Sequence, residues 1–143
     1  MGLKKLVGAY LVIVGVVVAA FFIVNSLLAD SIDVLSIWYV LDVLMLVGLV
    51  LALVFNYQRK REVEAEGQAE SITRSYLESN ALFYLTSAVT IIFLHNWISF
   101  LANGADSLDG NHQAWVIWAF VDTLLPITLG VTGCRLWREA SSS

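Results

Sequence analysis

Basic residues, cysteine and proline are the scarce components of this 143-residue chain, and each scarcity excludes something. The eight lysines and arginines are too few and too scattered to make a nucleic-acid-binding face. A single cysteine, Cys134, rules out an intrachain disulfide, and no CxxC or Cys/His pattern marks a structural metal or a haem attachment. The single proline, Pro126, leaves long helices unbroken everywhere else. No glycine-rich phosphate loop and no nucleophile with a base beside it is present, so a conventional enzyme lacks its parts. Nothing in the sequence requires a cofactor.

What fills the chain instead is apolar: 59% of residues are hydrophobic, only 14% are charged, and the mean hydropathy is +0.78. That composition belongs to a membrane protein. Four runs, Leu6–Leu28, Val34–Asn56, Ala81–Ala102 and Ala114–Trp137, each come near the ~20 residues a crossing helix needs. Backbone groups in lipid must be satisfied within the segment, and no run alternates as barrel strands do, so the expected fold is all-α and polytopic with four transmembrane helices. The first run starts Met1-Gly2-Leu3-Lys4-Lys5, as signal peptides do. Its apolar length exceeds the ~7–15 residues of a signal core, and it is read as a retained span.

Charge sets the expected orientation. Lys4 and Lys5 precede span one, Arg59, Lys60, Arg61 and Arg74 lie between spans two and three, and Arg135 and Arg138 end span four. The other two loops carry Asp30, Asp33, Asp106 and Asp109 with no basic residue. By the positive-inside rule the termini and middle loop are expected to be cytoplasmic and the acidic loops to face out, as in a plasma or inner membrane. The chain then divides into a first transmembrane hairpin (1–56), a cytoplasmic connector that is partly helical (57–80) and a second hairpin with a short tail (81–143). The basic cluster at Arg59–Arg61 serves as a topology signal and a contact for lipid headgroups.

The two halves repeat. ADSID at Ala29–Asp33 matches ADSLD at Ala105–Asp109, and Ile37-Trp38-x-x-x-Asp42 matches Ile117-Trp118-x-x-x-Asp122. Two hairpins in tandem have the same orientation and are expected to be related by an axis along the membrane normal. In each ADS[IL]D loop, Ser31 or Asp30 is expected to cap the next helix, with Asp33 near its positive end. Asp106, Asp109 and Asn111 form a weak candidate loop site for a cation, without the twelve-residue geometry of a calcium loop.

Counting from the outer helix ends places Asp42, Asp122 and His95 ~12–15 Å below the outer surface. On span three, Tyr84, Ala88, Ile91, His95 and Ser99 share a face; on span four, Ala119, Asp122, Pro126, Gly130 and Gly133 do. Small residues mark helix contacts in membranes, so both stripes are expected to face inward. Span one offers Gly8, Gly15 and Ala19, and span two Asp42, Met45, Leu49, Ala52 and Asn56. Tryptophans near the span ends fit an interfacial aromatic belt.

The buried acids admit three uses. They could pin helix register through hydrogen bonds, at ~0.6 kcal/mol each, in a small integral accessory or structural subunit that packs against larger membrane partners. Asp42, Asp122 and His95 could instead bind a cation or relay protons in a small transporter or channel acting as a homo-oligomer. A third use is an intramembrane metal site on His95, with His112 as a further weak candidate ligand. The accessory subunit is the first expectation and coupled transport the second.

Overall fold

The computed structural model describes residues 2–28, 31–66, 74–103 and 112–142. They form four helices: α1 (Gly2–Leu28), α2 (Val34–Glu66), α3 (Arg74–Asn103) and α4 (His112–Ser142). All four are long and apolar enough to cross a membrane. Helices α2, α3 and α4 outrun their apolar cores. Each overrun carries an i,i+4 ion pair that supports a solvated helix end: Lys60–Glu64 on α2, Arg74–Glu78 on α3 and Arg135–Glu139 on α4.

Packing is uneven among the helices. The most intimate pair is α1 with α4, followed by α2 with α3, while α1 and α3 stand at opposite corners with at most marginal contact. The α1–α4 seam is antiparallel and is built on glycine: Gly8 lies against Gly133 and Trp137, and Gly15 against Pro126 and Gly130. A Cβ on Gly8 would stand 2.8 Å from the carbonyl oxygen of Gly133, and one on Gly133 would stand 2.7 Å from that of Gly8. Without side chains there, the two backbones touch and gain the dispersion contacts that drive helix association in lipid. The α1 and α4 small-residue stripes thus do face each other.

Helices α2 and α4 bury the same register. Leu41, Asp42, Met45, Gly48, Leu49, Ala52 and Asn56 are buried on α2, and so are the residues eighty positions on: Val121, Asp122, Leu125, Thr128, Leu129, Thr132 and Leu136. The repeated motif therefore extends into a repeated packing face that composition does not reveal. Between them the helices enclose a fully buried apolar core that includes Leu11, Met45, Leu49, Phe93, Leu125 and Leu129. Elsewhere the surface is apolar, with Ile13, Ile23, Val50, Ile91 and Phe120 exposed around the bundle as lipid-facing side chains require.

Helix α3 departs from expectation. Tyr84, Ala88, Ile91 and His95 are exposed and Ser99 is half-buried; the face turned inward is Thr86, Val89, Phe93, Asn96 and Phe100. Phe93 and Phe100 are both buried there, in edge contact with Trp118 of α4 at 6.0 and 6.3 Å. At the head of α2, Asp33 itself is the cap: Ser36 donates its amide to Asp33 Oδ1 (3.4 Å) and its hydroxyl to Oδ2 (2.7 Å). Ser31 instead closes a turn, donating its amide to the Leu28 carbonyl at 2.9 Å.

The seam predicts an asymmetry among glycines. Gly133→Ala and Gly8→Ala each drive a methyl into backbone and are expected to lower stability by about 1–3 kcal/mol. Gly130→Ala meets nothing within 4 Å and is expected to be neutral. Thermal melting of the purified chain in detergent checks this; equal melting temperatures for all three variants would mean that the seam is not tight.

Candidate functional site: a buried carboxyl pair

Asp42 and Asp122 occupy equivalent positions on the shared faces of α2 and α4, 2% and 6% exposed. The Asp42 carboxyl lies within electrostatic range of that of Asp122. One turn nearer each helix start stands a tryptophan, Trp38 before Asp42 and Trp118 before Asp122, on the same face by helical spacing. Trp38 meets the Phe21 edge at 5.1 Å, and Trp118 makes edge contacts with Phe93 (6.0 Å) and Phe100 (6.3 Å). Along each helix an acid thus follows a tryptophan by one turn, with Met45, Leu49, Leu125 and Leu129 continuing the buried face toward the other end.

Neither carboxyl is hydrogen-bonded among the described residues. Oδ1 of Asp42 and Oδ1 of Asp122 are both buried without a hydrogen bond among the described residues. Helix α4 runs through Pro126, which has no amide hydrogen to offer the Asp122 carbonyl one turn back, so a backbone acceptor is freed beside the acid. Unpaired polar atoms inside a bundle cost of the order of 1–3 kcal/mol each, and native structures hold few of them.

His95 does not join this pair, because it projects from the exposed face of α3; its neighbour Asn96 turns inward and donates to the Ala114 carbonyl at 3.3 Å. His112 is exposed at the first residue of α4. Among the described residues no group of three His, Cys, Asp or Glu side chains could hold a metal ion. Asp106, Asp109 and Asn111 lie outside the described residues.

A second polar centre escaped sequence reasoning. Asn56 donates from Nδ2 to Thr86 Oγ1 (3.1 Å) and Thr132 Oγ1 (3.0 Å), while its Oδ1 accepts from Arg135 Nη2 (3.1 Å). Arg135 continues to Glu139 (3.1 Å), and Glu139 to Lys4 (3.4 Å). The chain of contacts ties all four helices together. Asn56 lies fourteen residues from Asp42 on the same face, about 21 Å at helical rise. The signal available beforehand was that spacing alone; its threonine partners are common in membrane helices and unremarkable singly.

The two centres differ in what they do for stability. Asn56→Ala strips two buried threonine hydroxyls and the partly buried Arg135 of a common partner and is expected to cost about 1–3 kcal/mol. Asp42→Asn breaks no hydrogen bond and is expected to melt at or above wild type. If Asp42→Asn melted as low as Asn56→Ala in the same detergent, the carboxyl would be a structural pin. No protein-family model matches the chain, and neither a curated protein nor a solved structure shows significant similarity to it.

Proposed function

We propose that this multi-pass membrane protein binds a proton or small cation at Asp42 and Asp122 and works as an oligomer in proton- or cation-coupled transport. One observation carries the proposal: two buried, neighbouring carboxyls have no hydrogen-bond partner among the described residues, while Asn56 bonds across the bundle elsewhere. A pair used as a helix pin would be hydrogen-bonded across the bundle. A pair that exchanges a proton or cation must keep its lone pairs free.

Two same-facing hairpins related by an axis along the membrane normal fit this use. Support comes from the common burial register of α2 and α4 and from the pairing of α1 with α4 and α3 with α2, which such an axis would interchange. The axis would run between α2 and α4 and bring the two acids to one depth. For orientation, the ionic contacts Lys4–Glu139 and Arg59–Glu78 and the Lys5–Trp137 stack gather the basic residues at one end, which the positive-inside rule assigns to the cytoplasm.

The apolar core favours a second use, as an accessory subunit. Leu11, Met45, Leu49, Val89, Leu125 and Leu129 fill most of the interior between the acids and Asn56, and the buried Thr128 hydroxyl among them is spent on the Leu124 carbonyl, so the described residues offer little polar lining from end to end. A path between chains, either copies of this one or larger membrane partners, fits such an interior better.

Proteoliposomes separate the two. Under the transport proposal, purified chain dissipates a proton or cation gradient, and Asp42→Asn and Asp122→Asn abolish that flux while leaving the oligomer's size unchanged. A double variant with wild-type flux would end the transport proposal. A wild-type chain that moves nothing alone, yet co-purifies with larger subunits from native membranes, would leave the accessory role standing.

A further inference from the structure

Beside the bundle, at the end where the basic residues gather, an open groove of about 810 Å³ runs along α2 toward Phe83 of α3. Its apolar part is Leu53, Val54 and the Phe83 ring, which packs on Tyr57 at 5.6 Å. Its polar part is Gln58, Arg61 and Glu62. Arg61 lies eight residues beyond Leu53, about 12 Å farther along the helix. The groove thus passes from hydrocarbon-like to charged over the distance separating a phospholipid's acyl chains from its headgroup.

Charge narrows the occupant. Of the three adjacent basic residues, Arg59 reaches Glu78 at 4.0 Å and Lys60 reaches Glu64 at 2.9 Å. Arg61 has no ion pair among the described residues; its guanidinium lies over the Tyr57 ring at 6.0 Å, an arrangement that leaves its N–H donors available. Glu62, the next residue, lines the same groove, is exposed, and has no ion pair among the described residues, although it lies within electrostatic range of Arg135. A purely anionic headgroup would meet Glu62 as a like charge. A trimethylammonium headgroup has no N–H to give it. A primary ammonium offers three donors.

We propose that this groove binds one phospholipid with a primary-amine zwitterionic headgroup, its acyl chain on Leu53, Val54 and Phe83, its phosphate on Arg61 and its ammonium on Glu62. The site does not depend on the carboxyl pair and stands or falls separately from it.

Native mass spectrometry of the full chain in mild detergent tests it, with an equimolar mixture of phosphatidylethanolamine, phosphatidylglycerol and phosphatidylcholine of identical acyl chains. Wild type is expected to retain the ethanolamine lipid over the other two by about tenfold, the worth of one charge-assisted hydrogen bond. Glu62→Gln is expected to erase that preference, and Arg61→Gln to lower retention of all three by about the same factor. Both residues are exposed, so neither change disturbs the core. Glu64→Gln, which alters the Lys60 pair outside the groove, should keep the wild-type pattern. Retention without preference, a preference for the glycerol lipid, or an unchanged pattern in Glu62→Gln would each overturn the proposal.

Discussion

The hydrogen bonds of Asn56 are the interaction on which the rest of the bundle depends. A helix pair in lipid gains little from the hydrophobic effect, because the tails outside are as apolar as the side chains within. Close backbone contact and polar bonds must set the register. The glycine seam supplies the first between α1 and α4, and the Asn56, Thr86, Thr132 and Arg135 cluster supplies the second among α2, α3 and α4. Glu139 and Lys4 carry the tie on to α1. With both devices in place, a carboxyl pair can be left unbonded without loosening the assembly.

Much of this was legible from residue types at fixed spacing. Run length sets the helix count, because a bilayer has one thickness and a helix one rise. The Asp42 and Asp122 match was readable because a spaced Trp/Asp motif is rare in apolar sequence. The stripes on α1 and α4 were readable because glycine has no other common use inside a straight membrane helix. Helix α3 was misjudged for the same physical reason in reverse. The stripe of Tyr84, Ala88, Ile91 and His95 is exposed while bulky Phe93 and Phe100 fill the interior, and α3 packs less closely on its neighbours than α1 does on α4. His95 was carried outward with that face. The Asn56 cluster required knowing which helices are neighbours, and no local pattern states that.

The basic end shows how misleading a count of charges can be. Arg59, Lys60, Arg74 and Arg135 are each held by a glutamate, so their charges are largely spent on helix ends and interhelical contacts. Exposed pairs of this kind contribute little stability. What they change is the pattern of charge at that end: of the three adjacent basic residues on α2, Arg61 is the one without an ion pair among the described residues, and it comes with a neighbouring carboxylate. Selectivity at such a surface is set by the arrangement of both signs more than by their sum.

The separation of the two polar centres bears on how the carboxyl pair can work. About four helical turns of apolar side chains divide Asp42 from Asn56, and the residues on that stretch, Met45, Leu49 and Ala52, are fully buried. Under the proposed transport role, a proton or cation held at the acids would need either an opening of the bundle along its weaker contacts or a route outside it. The glycine seam resists the first at α1 and α4, where backbones touch. The contacts of α2 with α1 and α4 are sparser. Movement of α2 against α4 would change the distance between Asp42 and Asp122 directly, so a proton or cation bound there as proposed would couple its occupancy to the packing of those two helices, as any ligand that prefers one arrangement shifts its population.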